Sequence, residues 1–398
     1  MGRFLPPFGN EFVSVEVFSG WVLLGAALAA VGWANADADS YRDVWESGLT
    51  LGVGDASISL DLRHWVTDAL MAVFFFVVGL EIKREVIDGE LRDMKTAAVP
   101  TFAAFGGMVV PAALYLAMTT GGEGARGWAI PMATDIAFAV GVLAVLGPRV
   151  PKGAKLFLLT LAIVDDIGAI LVIALVYSEG LHAWWLLAAI AVAAVVAACS
   201  RAGITRPWVY LALGVPLWIC VHEAGVHATI AGVVLGLLVP GKPGSEAGPL
   251  ERIERALHPW SSFVIVPIFA LANAGVALST ASLDRAASSA VAGGVLLGLV
   301  IGKPLGIVGA TLLALRSRRA RLPSGMRTID VVGVGFVAGM GFTVSLFIAN
   351  LSFGAARLDA AKLSILLASL VAATVGALVF VVAPATSTGT RRIRRPKP

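Results

Sequence analysis

Apolar runs of about 20 residues recur along the whole chain, separated by short stretches rich in Lys, Arg, Gly and Pro. As an α-helix, a run of that length crosses a hydrocarbon core roughly 30 Å thick. The runs predict an all-α polytopic membrane protein of about twelve transmembrane helices. They lie near residues 18–35, 65–82, 98–118, 129–147, 156–177, 183–200, 207–220, 224–239, 260–276, 290–314, 329–351 and 361–384. The stretch 207–239 is divided in two because Glu223 and Gly225 interrupt it. A membrane β-barrel would instead show short alternating segments. Only "LTLGVGDASISLDL" at 49–62 alternates, around a Gly/Asp turn, and it predicts a β-hairpin. A lone hairpin is marginal in water, so pairing with a second copy is expected. The predicted organisation is an N-terminal segment 1–17, one transmembrane unit 18–384 and a basic tail 385–398.

Composition sharpens this. Hydrophobic residues make up 58% of the chain and charged residues 14%, against about a quarter charged in soluble domains. The formal net charge of +4 is explained by where the positive residues lie. The second, fourth, sixth, eighth and tenth connections and the tail hold 22 of the 30 Lys and Arg residues. The other connections hold only Arg42, Arg63, Arg126, Arg285, Arg357 and Lys362. The positive-inside rule then puts both termini in the cytoplasm, with an even number of spans. The first 17 residues contain Glu11 and Glu16 and no small-residue cleavage site, so no cleavable signal peptide is expected. Cys199 and Cys220 lie in apolar segments and read as small buried hydrophobes.

Four ionisable residues stand near the centres of their spans: Asp135, Asp165, Asp166 and Lys303. Such groups cost about 2.5–3.5 kcal/mol each on insertion scales and mark functional sites by default. Asp135 follows Pro131 and Thr134, so a helix cap is an alternative reading for it. Lys303 is too deep to snorkel easily. The adjacent aspartates point about 100° apart on a helix, so one can face a water-filled funnel and the other a neighbouring helix. Two close carboxylates in a low dielectric resist ionising together, so protons and a hard cation compete for the same oxygens. Lys303 offers a countercharge when no cation is bound.

Two spans carry breaks. One is "IPMATDIAF", where Pro131 removes a backbone donor and Thr134 and Asp135 can bond locally. The other is "GVGFVAGMGFT", with Gly333, Gly335, Gly339 and Gly341; close helix packing would also account for those glycines. Grouping helices three to five and ten to twelve makes the broken helix the middle one of each unit. The charge distribution gives the units opposite orientations. Paired broken helices in inverted repeats point to a secondary transporter with its site near the midplane. There Asp135 would suit exposed amide ends and Lys303 exposed carbonyl ends.

Longer motifs carry a resemblance. "DALMAVFFFVVGLEIKRE", "GWAIPMATDIAFAVGVLAVLG", "LAIVDDIGAI", "GVHATIAGV", "LHPW", "LANAG", "IGKPLGI" and "GMGFTVSLFI" occur in order between about Trp65 and Lys362. With them the chain resembles the NhaA family of Na⁺/H⁺ antiporters. The resemblance implies crossed, interrupted fourth and eleventh helices, with Asp165 and Asp166 binding Na⁺ or Li⁺ and protons. It assigns Thr134 and Asp135 to the crossing and Lys303 to the site. It also implies electrogenic exchange of two protons per Na⁺ in the bacterial inner membrane, activity rising at alkaline pH, and dimerisation through the hairpin. Glu81, Arg84, Glu85, Glu254 and His258 match its pH-responsive cluster, for which solvated helix ends with exchangeable ion pairs are the plainer alternative. Asp68 and His227 match further functional positions, although His227 also reads as a packing residue. Arg255, Glu251 and Glu223 depart from the family's best-known pattern and lie in or near its regulatory regions.

Two other classes share parts of this pattern. A Na⁺-coupled solute symporter would need a polar cluster for an organic solute, and none stands out. An intramembrane aspartyl protease is suggested by "GVGD" at Gly52 to Asp55, but that motif sits in the hairpin and lacks a second aspartate on a partner span. No Walker, Rossmann or zinc pattern is present. A secondary transporter is therefore expected, not an enzyme, with no cofactor, nucleotide or nucleic acid.

Overall fold

A computed structural model describes residues 10–53, 56–120, 122–178, 180–244, 248–317 and 320–383. The tail 385–398, Gly54 and Asp55 of "GVGD", and Arg318 and Arg319 lie outside the described residues.

The membrane-type helices are α1 (Asn10–Ala36), α2 (Leu62–Ile87), α3 (Met94–Met118), α4 (Ile136–Val145), α5 (Lys152–Val176), α6 (Ala183–Arg201) and α7 (Pro207–Glu223). They continue as α8 (Thr229–Leu238), α9 (Pro249–Asn273), α10 (Ala290–Leu315), α11a (Thr328–Ala338), α11b (Phe342–Ser352) and α12 (Ala355–Val382). Among the described residues, eight helices are long and apolar enough to cross a membrane, or ten when each bent pair counts as one span. The bends are 42° before α4 and 45° between α11a and α11b.

The count of twelve depends on α7 and α8, which are 17 and 10 residues long. Gly225 takes a left-handed backbone, φ +77°, and the chain stays irregular until Thr229. At 1.5 Å per residue α8 reaches only about 15 Å. The ninth helix starts at Pro249, eleven residues before its expected start, because Pro at the first helical position and an amphipathic "LERIERAL" extend it. α1 likewise begins at Asn10 instead of residue 18. The first half of the fourth span is two short 3₁₀ turns, Glu123–Gly127 and Ile130–Met132, in place of an α-helix.

The expected hairpin is formed by β1 (Gly48–Val53) and β2 (Ala56–Asp61), antiparallel, with Gly48 opposite Asp61. It is fixed to the bundle by Trp65, whose indole N–H donates to the Leu49 carbonyl at 2.8 Å. Before the hairpin, Tyr41 docks on the end of α9. Its hydroxyl lies 2.9 and 2.8 Å from the carbonyls of Leu271 and Ala272 and accepts the Gly275 N–H at 3.2 Å.

The two broken units meet where α3 packs on α10. A Cβ on Gly106 would strike the Gly306 carbonyl, and one on Gly306 would strike the Gly106 carbonyl. This reciprocal contact continues with Pro111 on Gly302 and Tyr115 on Gly294. Numbers rise along one helix as they fall along the other, so the leading helices of the two units run in opposite directions.

Candidate functional site

The site is built where the two breaks touch. The Asp135 backbone N–H donates to the Met340 carbonyl at 2.6 Å, joining one break to the other. Asp135 is the N-cap of α4, its Oδ1 accepting from Phe138 N at 3.2 Å. Its Oδ2 accepts from Thr343 N, at the start of α11b, at 3.0 Å. One buried carboxylate therefore satisfies amides of two helix N-termini, whose partial positive charge favours an anion. The sequence left two readings of Asp135 open, a charge near mid-span and a helix cap. The structure makes it both, because Pro131 and the 3₁₀ turns stop the helix just before it, inside the span.

On the other side of the crossing, Lys303 Nζ donates to the Met132 carbonyl and, at 2.7 Å, to Asp165 Oδ2. The same Asp165 oxygen lies 2.7 Å from Thr134 Oγ1. Thr134 Oγ1 is also 2.9 Å from the Ala338 carbonyl, so its single proton is contested by two acceptors. Asp165 Oδ1 is buried without a hydrogen-bond partner. Ser345 Oγ donates to the Ile130 carbonyl at 2.6 Å, tying α11b to the 3₁₀ turn.

The adjacent aspartates separate as helical geometry requires. Asp165 faces Lys303, whereas Asp166 lines a cavity of about 110 Å³ that Thr134 and Asp135 also line. Glu81, Arg84, Glu85 and His258 line the same cavity. Arg84 is paired with Glu254 and lies 4.0 Å from Glu85. His258 Nε2 is 3.8 Å from Glu81 Oε1. Glu85 Oε2 accepts the Glu90 N–H at 3.0 Å. Glu81, Arg84, Glu85, Glu254 and His258 thus stand together, near the cavity that reaches Asp166. Of the three departures, Glu251 is on α9 with Glu254, and Arg255 is its next neighbour on that helix. Glu223 ends α7 and is exposed.

Asp68 and His227 are elsewhere. They lie 3.6 Å apart in a second cavity of about 660 Å³, which Arg63, Arg126 and His222 also line. His227 Nδ1 is 2.8 Å from Thr229 Oγ1. The two cavities occupy opposite ends of α2 and α11b, with Phe347 between them. Phe347 is fully buried, with ring centroids 5.4 Å from Phe75 and 5.0 Å from His227.

Sequence reasoning did not find Met132, Ala338 or Met340, because their backbone carbonyls carry no residue signature, nor Thr343 and Ser345. Thr343 and Ser345 fall within "GMGFTVSLFI", which marked the break but not its partners.

The chain matches the family described as Na⁺/H⁺ antiporter 1 over residues 10–380. It is 46% identical over 416 residues to the Na⁺/H⁺ antiporter NhaA of Rhodopirellula baltica, covering 94% of this chain and 93% of that one. To the Na⁺/H⁺ antiporter NhaA of Shigella boydii serotype 4 and of Escherichia coli O157:H7 it is 46% identical over 373 residues, covering 92% of this chain and 96% of theirs. A match of this length and identity is decisive: the chain belongs to the NhaA family of Na⁺/H⁺ antiporters.

Proposed function

We propose that this protein is a pH-regulated, electrogenic Na⁺(Li⁺)/H⁺ antiporter of the bacterial inner membrane, with both termini cytoplasmic and a homodimer formed through the hairpin. It works by alternating access at Asp165 and Asp166. The observation that carries this reading is the division of labour in the pair. Asp166 opens onto a cavity, while Asp165 is held by Lys303 and Thr134 at the crossing of two broken helices.

In the proposed cycle the deprotonated pair takes a cation from the Asp166 cavity. Asp166 and Thr134 offer oxygen ligands in that cavity, and the buried, unpartnered Oδ1 of Asp165, next to Asp166 in sequence, is the further oxygen a cation entering from it would take. Hard cations prefer such donors. As the cation binds, it replaces Lys303 as countercharge to Asp165 and releases the lysine. Movement about the crossing then turns the pair toward the Asp68–His227 cavity, the cation leaves, and protons reload the carboxylates. The Glu81, Arg84, Glu85, Glu254 and His258 group, at the Asp166 cavity, is the pH-responsive element.

The test uses proteoliposomes containing only this protein and an internal pH dye. Na⁺, Li⁺ or K⁺ is added across a pH series from about 6.5 to 9, bracketing a perturbed carboxylate. Proton movement with Na⁺ and Li⁺ but not K⁺ is expected, lost in the Asp165→Asn/Asp166→Asn double variant with the fold intact. Exchange that survives in the double variant would remove the pair from the site. No response to any cation would bring a solute-coupled carrier forward.

A further inference from the structure

In α10 the turn Gly298–Gly302 is π-helical: the Lys303 N–H returns to the Gly298 carbonyl, five residues back instead of four. A π-turn needs no proline, since Val66–Leu70 of α2 closes at Met71 with Ala72 next; here Pro304 follows the turn and has no N–H to give to Val300, four residues back, or to Leu299, five back. The π-turn Ser261–Ile265 of α9 has the same arrangement, with Val266 closing it and Pro267 next. The freed Leu299 carbonyl is directed at the break in the eleventh span, where a Cβ on Gly339 would come within 2.5 Å of it.

The same helix has glycines at 294, 298, 302 and 306. Each is pressed against a neighbour. Added Cβ atoms would lie 2.8 Å from the Tyr115 ring, 2.6 Å from Pro131, 2.7 Å from the Pro111 Cα, and against the Gly106 carbonyl. In an uninterrupted α-helix a four-residue step overshoots one turn by about 40°, so four such glycines would drift by about 120°. Such a drift would spread them over about a third of the helix surface. The wider π-turn takes up more residues per revolution and lies between the second and third glycines, which offsets the drift. Lys303 follows the third glycine directly. Its Cε passes 3.8 Å from where a Gly107 Cβ would stand, and its Nζ arrives at Asp165 and the Met132 carbonyl.

We propose that Pro304 and Gly302 are positioning residues for Lys303: the π-turn, kept open by Pro304 and locked by the glycine contacts, sets the direction in which the lysine leaves α10. The proposal rests on the reading of Asp165, Asp166 and Lys303 as the transport site. Restoring an N–H at position 304 makes closure in α register available, and that closure would turn Lys303 away from Asp165.

The experiment compares Pro304→Ala, Gly302→Ala and Gly309→Ala, each alone and combined with Lys303→Gln. Gly309 is the control, since nothing lies within 4 Å of its Cβ position. Two readouts are taken on the full chain: the Na⁺ half-saturation and pH profile of exchange in proteoliposomes, and the Li⁺ concentration that half-maximally raises the melting temperature. The second needs no turnover.

Pro304→Ala and Gly302→Ala should each raise half-saturation roughly tenfold, well within the loss an ångström of misplacement causes. They should also move the pH profile in the direction of Lys303→Gln and add nothing when combined with it. Gly309→Ala should match the unaltered protein. Gly302→Ala puts a Cβ 2.7 Å from backbone; should it not fold, Pro304→Ala, which removes ring atoms and adds only a donor, decides alone. Positioning variants that behave like Gly309→Ala, or whose effects add in full to Lys303→Gln, overturn the proposal. A Lys303→Gln protein indistinguishable from the unaltered one overturns the site reading instead.

Discussion

Lys303 reaches Asp165 across 2.7 Å with neither side chain exposed to solvent. An ion pair taken wholly out of water is weak support for stability as a pair, because desolvation offsets the attraction, but removing one partner strands the other charge. Lys303→Gln is therefore expected to destabilise the protein by about 3–5 kcal/mol. Na⁺ or Li⁺ should recover part of that loss, since a cation at Asp165 supplies the missing charge and stabilises whatever state binds it. Melting curves in detergent with and without Li⁺ check both; an unchanged melting temperature would contradict the prediction.

Asp135 serves two helix N-termini at once, through Phe138 N and Thr343 N. One cap contributes about 1 kcal/mol, so Asp135→Ala should lose about 2 kcal/mol and loosen the crossing. Asp135→Asn keeps one acceptor oxygen but not the charge, and is expected to lose about half as much. The order Asp, Asn, Ala in melting temperature is the measurement, and Ala equal to Asn would speak against the double cap.

Tyr41 ties the first long connection to the end of α9 through the Leu271 and Ala272 carbonyls and the Gly275 N–H. Tyr41→Phe keeps the ring, which packs edge-on against Trp33 at 5.4 Å, and removes only the hydroxyl. Buried partners left unsatisfied cost about 1–3 kcal/mol. The variant should lose that much stability, and amide exchange at Gly275 should speed up; protection at Gly275 equal to that of the unaltered protein would count against the anchor.

Glu90 lies in a 3₁₀ turn between α2 and α3. Burial, and then the charges of Glu85 and Asp93, push its carboxyl above the ordinary value of 4.5. The sign follows from linkage: the folded state favours the protonated form, so Glu90's stabilising contribution is full below pH 4.5 and is lost as pH rises through the raised value. Glu90→Gln removes that loss. The variant should melt higher than the unaltered protein at neutral and alkaline pH and gain nothing near pH 4. A gain of equal size at every pH would rule out titration of Glu90 as the cause.

Along the chain, hydropathy, helix breakers and buried charge are local properties, and the sequence determined them. Apolar runs located the helices. Pro131 and the glycines of "GVGFVAGMGFT" marked both breaks, the second only to within eleven residues, and Asp135, Asp165, Asp166 and Lys303 stood out as charges in apolar surroundings. The motifs around them sufficed to name the family.

Partnership was decided only in three dimensions. Lys303 and Asp165 are 138 positions apart, Thr134 and Ala338 are 204, and Asp135 and Thr343 are 208. No periodicity relates residues at such separations. The sequence could state that two adjacent aspartates diverge by about 100°, but not which would meet the lysine and which the cavity. It read the charged "LERIERAL" as a connection, whereas packing against the bundle made it the first turns of α9, which bring Glu254 to Arg84. Hydropathy marks which segments leave water, while the pairing of buried polar groups depends on how those segments cross. That crossing is fixed here by glycine contacts, a π-turn in α10 and backbone carbonyls.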